Sequence, residues 1–498
     1  MAKRIIQKLY YRITFTLVSP LSIGSGENRY TDRDIIRDSS GEPYIPASAI
    51  AGVCRSLFPH ENGDLTGEAK PYFGYVKIRM GTKEEEDEQA ESTLIFYDAK
   101  LLAECRDKYY VSVRDSVKLD DFKTAVDGAK FDMEVLEPGV QFRTYLEQSL
   151  YADQMTDYAA LVVGQLYSDG ALFGAKSMRG YGSIRIDSVE RCTFDLTKSD
   201  QIDQWIEFDL YEESSDGKPW KPLGEKEIPR AEHHRLCLSL RQAGGISIRK
   251  YTTQVSTEEE TKSDFTQLTL HKIEDEEPVP VIPGTSWAGA IRHRMRDLGL
   301  TVEDERFLFG DVITKASSAG SPAAEEPGGR LHSESEASDS SLKSPDSRQK
   351  TGEGGMKQKS RLRFGESRIH GASRKVLSRN AIDRFSGGTV NGALFTEETY
   401  YGGETQLEIS WFGENPISEK MADLLAAALS DLHYGFLAVG GETSIGRGLF
   451  EVEAVNGTSF TDQEKDNIYP VLQGIIRSLW AKRFEPDAGR VEGNEYGG

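Results

Sequence analysis

An α+β chain made of two copies of one unit is the fold class that three features of this sequence predict. PYIPASAIAGVCRSLF, from Pro43 to Phe58, and VPVIPGTSWAGAIRHRM, from Val279 to Met295, share one plan of strand, Ile-Pro, small residue, Ser and amphipathic helix. Further matches follow in the same order: Tyr72-Phe73-Gly74 with Leu308-Phe309-Gly310, STLIFYDA (Ser92 to Ala99) with SRLRFGES (Ser360 to Ser367), and GAKSMRGYGSIRI (Gly174 to Ile186) with GGETSIGRGLFEV (Gly440 to Val452). A length of 498 residues is too great for one ordinary core, since domains run to about 100–200 residues. The repeat divides the chain in two.

Taken in order, residues 4–18 alternate apolar and polar side chains as a strand does, and a Gly-, Ser- and Asp-rich loop follows. At each Ile-Pro, a proline that cannot continue a ladder is followed by a small residue and a Ser where a helix N-cap is wanted. Ile50, Val53, Cys54 and Leu57 then share one helix face, as do Trp287, Ile291 and Met295. TDYAALVVGQLYSDG, from Thr156, has a capped start, apolar spacing and a terminal Gly, and predicts a helix that leads to the glycine-rich turn and a closing strand. The first unit spans 1–195. Residues 196–230 show no clear periodicity and read as a linker. The second unit, 231–455, opens with the strand HHRLCLSLRQ and contains ISEKMADLLAAALSDLHYG, the strongest helical stretch of the chain. Within it, about 313–359 is rich in Ser, Gly, Ala, Glu and Lys, too poor in apolar residues to offset its ordering entropy, so disorder is expected there. One more helix, around 462–482, and a polar tail make up 456–498.

Composition narrows the classes. Hydrophobic residues are 38% of the chain, and no apolar run approaches the roughly 20 residues of a membrane helix. The N-terminus lacks a signal-peptide core, and Cys54, Cys105, Cys192 and Cys237 form no C-x-x-C pair. A cytoplasmic protein with reduced thiols and no structural zinc is expected. The net charge of −21 is not that of a default nucleic-acid binder, but much of the acid lies in runs such as KEEEDEQAE, TEEE and EDEE that read as solvated loops.

With VSVRDSVKLDDFKTAVDGAKFDME, from Val111, echoed by LSRNAIDRFSGGTVNGALFTEE, from Leu377, five motifs in fixed order, each present twice, resemble the RAMP superfamily of CRISPR-associated proteins, and most closely the backbone subunits of type III (Csm and Cmr) effector complexes. A tandem fusion is similar to the fused backbone proteins of type III-D variants. The resemblance implies two RAMP domains, each a modified ferredoxin-like (RRM-like) fold with an inserted thumb hairpin at Arg114 to Phe131 and Asn380 to Phe395. It implies a cytoplasmic assembly with a guide CRISPR RNA, complementary target RNA, a large polymerase-like subunit, further backbone subunits and a small subunit. It also implies cleavage of the target with Mg²⁺ or another divalent cation.

In the cleaving members a loop Asp precedes the strand that leads to the proline turn. YTDRDIIRDSSGEPYIPAS places Asp32 in the pattern D-x-x-x-x-x-D, ending at Asp38, and Asp264 has comparable loop context in the second copy. These two are the expected catalytic and metal-binding residues, because a loop carboxylate can hold a hydrated Mg²⁺ beside a displaced phosphate. A loop Asp is otherwise a turn or cap residue, the reading given to Asp34 and Asp38. Asp383 reads as a structural partner of Arg384 at the thumb base. In the first glycine loop, backbone amides with Lys176, Arg179 and Tyr181 suit guide phosphates, against the plainer reading of a tight turn. The second loop offers Arg447 as its cation, beside an unfavourable Glu442. Ser48 with Arg55, and Ser286 with Arg292, would reach the guide from the helix starts, or would be a cap and a surface charge. Two other readings stay open: a non-catalytic guide scaffold, and a metal-independent guide-precursor endonuclease using a His as acid or base.

Overall fold

The computed structural model describes residues 4–26, 31–61, 64–65, 69–77, 88–119, 125–153, 155–168, 170–211, 220–224, 227–228, 235–250, 266–271, 277–313, 356–413 and 416–481. The expected disordered insertion and polar tail lie almost wholly outside these residues.

In the first half, β1 (Ile5–Leu17) is followed by α1 (Ala47–Ser56) and β2 (Leu94–Phe96). A projecting hairpin, β3 (Val111–Leu119) with β4 (Ala125–Leu136), precedes β5 (Gln141–Tyr151), α2 (Tyr158–Gln165) and β6 (Ile184–Asp195). Strand order is β6-β1-β5-β2, all antiparallel, which is the ferredoxin-like order 4-1-3-2 once the hairpin is set aside. Gln7 pairs with Asp195 on one side of β1, and Phe15 with Phe142 on the other. Alternation along β1 sends Tyr11, Ile13, Phe15 and Leu17 into a core shared with Ile50, Cys54, Val162 and Val163 of the helices. Fully burying a side chain such as Ile13, Phe15 or Leu17 contributes about 1.5–3 kcal/mol, so this face fixes the register.

The segment expected to be an aperiodic linker contains α3 (Ser199–Ile206), whose Trp205 packs with Phe208 and Trp220 on Tyr10, Tyr145 and Phe194, the opposite face of the first sheet. Trp205 Nε1 donates to the Tyr10 hydroxyl at 2.9 Å. Its apolar residues are aromatics placed by a distant sheet surface, and a helix of two turns gives too little period to read.

The second half repeats the plan with β7 (Arg235–Gln242), β8 (Val279–Ile282), α4 (Gly284–Asp297), α5 (Val302–Phe309) and β9 (Leu362–Phe364). Its hairpin is β10 (Ser373–Ile382) with β11 (Thr389–Tyr401), followed by β12 (Glu404–Trp411), α6 (Glu419–His433) and β13 (Phe450–Val455). The order β13-β7-β12-β9 matches that of the first sheet. Both hairpins are longer than the segments expected from sequence. Asp383 sits at the tip of the second, where its carboxylate accepts from the amides of Phe385 and Ser386, so it forms the turn and is not at the base.

The single C-terminal helix expected is broken into α7 (Asp462–Asp466) and α8 (Tyr469–Ile476), with the break just before Pro470. Leu472, Ile476 and Trp480 are completely buried in the second core.

The two halves meet through polar groups. Arg363 Nε donates to the Ser177 carbonyl at 3.2 Å and its Nη2 to Ser183 Oγ, while Arg368 Nη2 donates to the Val18 carbonyl at 3.1 Å. Arg114, at the hairpin base of the first half, donates to both oxygens of Glu137 at 3.1 and 3.2 Å and lies 3.6 Å from Glu366 of the second half. All three side chains are at least 95% buried.

Candidate functional site

The two glycine-rich loops share a backbone and differ in chemistry. Lys176 and Glu442 each take the left-handed conformation, φ 57°, ahead of a 3₁₀ turn at Ser177–Arg179 and Thr443–Ile445. Gly182 and Gly448 follow at φ 76° and 73°; a Cβ at either would lie 1.8 or 1.9 Å from the carbonyl oxygen of Phe173 or Val439, so only glycine fits.

In the first loop Lys176 Nζ sits 3.6 Å from the Phe131 ring centroid. Burial, then the neighbouring Arg179 and Arg33, lowers its pKa to about 7. Arg179 is exposed. Arg249 and Lys250 of the second half line the same cleft, with Val113 and Asp115 of the hairpin and Pro283 and Thr285 at the α4 start. Cations gathered from both halves, one of them with its charge disfavoured by burial and by its neighbours, make a place where an anion is favoured. Arg249, Lys250 and Arg33 were missed from sequence; the dipeptide Arg249-Lys250 at a strand end was the signal available.

Three expected binding residues have other surroundings. Tyr181 is buried against Met133 and Val135 at the hairpin base, where burial first of all pushes its pKa up to about 12. Arg447 occupies the matching position of the second loop. It is 2% exposed, ion-paired with Glu397, and its Nε lies 3.0 Å from Glu442. Burial, then Arg379 and Arg249, lowers its pKa to about 10. Its guanidinium therefore balances internal carboxylates. Arg292 pairs with the buried Glu305, as does Arg296 at 2.5 Å, tying α4 to α5. The spacing misled because Glu397 lies 50 residues from Arg447 and Glu305 lies on the next helix from Arg292.

Neither Ser48 nor Ser286 caps its helix. The N-caps are Pro46 and Pro283, in extended conformation, and Ala47 N donates instead to Asp98 Oδ1 at 2.7 Å. Ser48 is exposed in the first turn of α1, Ser286 is half-buried in the first turn of α4, and Arg55 is half-buried in the last turn of α1.

Asp32 is exposed on its loop and touches the hairpin base. Its amide donates to Asp132 Oδ1 at 2.8 Å, and the Asp132 amide donates back to Asp32 Oδ2 at 3.0 Å. The loop is held in place behind them: Asp34, 7% exposed, accepts from the amide and hydroxyl of Thr31, and Glu134 accepts from Ile35 N and pairs with Arg37. Asp38 accepts from the amides of Ser40 and Glu42 and is a turn residue. Asp132 was not foreseen; it alternates with Glu134 on one face of β4, and that spacing was the clue. Asp264 lies outside the described residues.

Among the described residues no group of three or more His, Cys, Asp or Glu is placed to hold a metal ion. Two exposed-side carboxylates with hard oxygens fit an Mg²⁺ held mainly by waters and a substrate phosphate, and do not fit a resident ion in a closed cage. His433 takes a structural position, its Nδ1 accepting from Val452 N at 3.0 Å and its Nε2 lying 3.2 Å from the Lys465 carbonyl oxygen.

Comparison with known proteins gives two matches. A family model described as the RAMP superfamily matches residues 14–185 and again 265–451. Over 171 residues the chain is 25% identical to a protein of Methanocaldococcus jannaschii named CRISPR system Cms endoribonuclease Csm3, an alignment covering 32% of this chain and 69% of the relative. No described helix is long and apolar enough to cross a membrane.

Proposed function

This chain belongs to the RAMP superfamily, matched twice along its length, and from that premise we propose that it is a guide-RNA-binding backbone subunit of a type III CRISPR effector complex that cuts complementary target RNA. The name of the archaeal relative, an endoribonuclease of a CRISPR system, supports the class of activity. The observation that carries the proposal is the reciprocal hydrogen bonding of Asp32 and Asp132, which fixes an exposed carboxylate at the base of a projecting hairpin. The partners are the guide, its target and other effector subunits, and the compartment is the cytoplasm.

The guide backbone runs along the cleft of Lys176, Arg179, Arg249 and Lys250, and the hairpins enter between guide and target. On the second hairpin Phe385 is fully exposed and Ile382 and Leu394 are each 67% exposed, apolar surface suited to wedging apart stacked bases. A displaced target nucleotide leaves its phosphate near Asp32, free to adopt in-line geometry. The target's 2′-oxygen then attacks the adjacent phosphorus as the bond to the 5′-oxygen breaks, the proton passing from the first oxygen to the second. Asp32 orients the reacting phosphodiester, and Asp132 holds Asp32. Divalent Mg²⁺, when bound, supplies neutralisation of the phosphate charge. Asp264 is assigned the same role in the second half, which makes two cutting positions.

A scaffold without catalysis is the second reading. It is favoured by Asp32 Oδ2 accepting the Asp132 amide, a bond that a purely structural carboxylate also makes. The deciding experiment follows end-labelled target in the guide-loaded complex with Mg²⁺ or EDTA, for wild type, Asp32→Ala, Asp264→Ala and the double variant. Loss of one distinct band per substitution supports two-site cleavage; survival of every band in the double variant leaves a scaffold.

Guide affinity gives an independent check. Replacing Lys176 and Arg179 by Gln lowers the slope of log affinity against log salt by roughly 0.7 per cation on a single strand, or roughly 1.4 for the pair. Arg447→Met leaves the slope unchanged, because that guanidinium is internal. Titration of labelled guide across a salt series reads both.

A further inference from the structure

The outer face of the first sheet carries a hollow of about 310 Å³, at the small end of the roughly 300–1,000 Å³ of small-molecule sites. Tyr10, Tyr97, Trp205 and Phe208 line it, Glu147 supplies a carboxylate, and Ile206, 69% exposed, stands at its edge. The internal repeat tests whether the fold itself needs these groups. Leu17 N donates to the Val140 carbonyl as Gln242 N donates to the Gly403 carbonyl, and Tyr97 N to the Tyr145 carbonyl as Gly365 N to the Glu408 carbonyl. By that register Tyr10 opposite Glu147 corresponds to Arg235 opposite Ser410, and Tyr97 corresponds to Gly365. The second sheet is complete with neither ring nor carboxylate at these places, so sheet packing does not account for them. Trp205, Ile206 and Phe208 come from the segment that follows the first unit and has no counterpart in the repeat.

The polar groups of the hollow describe one edge of a ligand. Glu147 is 6% exposed; one of its oxygens accepts from Lys8 Nζ and the other from the Tyr97 hydroxyl at 2.9 Å. A carboxylate has about four lone-pair sites, so each oxygen can take one more donor. The Tyr10 hydroxyl accepts from Trp205 Nε1 at 2.9 Å and keeps its own proton to give. Two acceptors beside a donor, among aromatic side chains that can stack a base, match a flat ring with two adjacent N–H donors next to an acceptor. Of the four RNA bases only guanine has that edge, with N1–H and the 2-amino group beside O6. The described residues that line the hollow include no Arg or Lys, which suits a base and not a phosphate.

We propose that this hollow binds a single guanine base, stacked among the aromatic rings and held along its edge by Glu147 and Tyr10. A free nucleoside and an unpaired guanine in an RNA strand present the same edge, so the recognition chemistry is common to both. The site shares no residue with the cleft of Lys176 or with Asp32. It stands whether or not the chain cuts RNA.

The test titrates the full chain with guanosine, adenosine, cytidine and uridine by saturation-transfer NMR, and in parallel with an all-uridine RNA and the same RNA carrying one guanine. Guanine is expected to bind on the order of 10–100-fold more tightly than the other bases, the scale of a good bidentate base contact. Ile206→Trp fills the entrance from an exposed position, without touching the core, and should abolish guanine-dependent binding. Lys8→Met combined with Glu147→Gln removes both buried charges together, leaving neither uncompensated, and should erase the preference for guanine while weak stacking persists. A guanine-dependent gain in the RNA arm that Ile206→Trp removes assigns the base to a strand; binding of guanosine without that gain assigns it to a free nucleoside. Either supports the site. Absence of guanine-dependent binding in both arms, equal binding of all four bases, or guanine-dependent binding that survives Ile206→Trp would each overturn the proposal.

Discussion

Replacing Arg114 by Met lowers stability by about 3–5 kcal/mol, the range for breaking a buried ion pair and leaving its partner charge uncompensated. The guanidinium stands between Glu137 and Glu366, and its removal leaves two buried carboxylates facing each other across the junction of the halves. Burial alone would pull the Arg114 pKa down, but Glu366 and Glu137 outweigh it and hold the value above normal. Glu366 already has its pKa pushed up to about 6, by burial first, with Arg114 opposing and Glu137 adding. A folded-state value above the ordinary 4.5 means that the folded chain binds more protons in that window, so stability falls as pH rises through it. Without Arg114 the value rises further and the window extends upward. Urea midpoints of wild type and variant should therefore lie far apart near pH 8 and draw together toward about pH 5. A gap independent of pH would mean that Glu366 is not the group left uncompensated.

The second large effect falls on cleavage. Asp32→Ala is expected to slow cutting at its own position by on the order of 10²–10³-fold, the scale for losing one preorganised electrostatic group. Asp132→Ala acts through Asp32 and should cost about 10–100-fold, the scale for groups that orient a metal-binding side chain. Asp132→Asn keeps an oxygen to accept the Asp32 amide and should recover most of that loss while shifting the Mg²⁺ dependence to higher concentration. Single-turnover rates across an Mg²⁺ series, with guide affinity measured in parallel, separate the three variants. If Asp132→Ala cuts at the wild-type rate, the reciprocal bonds serve the loop's shape and nothing more.

Much of the architecture was legible because it is local. Ile-Pro before a helix, the capped helices at Asp157 and Ser418, and the glycines at positive φ each depend on neighbours a few residues away. Duplication then turned weak local signals into a strong one. The site was less legible because its decisive contacts join residues far apart in the chain. Arg447 looked like a free cation until Glu397 was found beside it, and Asp132 acquires meaning only by meeting Asp32. The proline turn shows the same limit on a smaller scale. Sequence placed a cap at Ser48, whereas the cap is Pro46 and the helix amide is taken by Asp98, 51 residues away in the loop after β2.

The placement of β1 also bears on how the chain is made. It leaves the ribosome before both strands that flank it and lies in the interior of its sheet, so it waits for Asp195 before both its edges are paired. At about 5–20 residues per second of synthesis, that wait is on the order of 10–40 s. Throughout it, the side chains of Tyr11, Ile13, Phe15 and Leu17 have no completed core to enter. The second half repeats the delay with β7, which is paired on both sides only after Val455. A nascent chain carrying two similar unpaired strands can exchange them, so pausing or truncation between the halves should favour swapped, aggregating products over native ones.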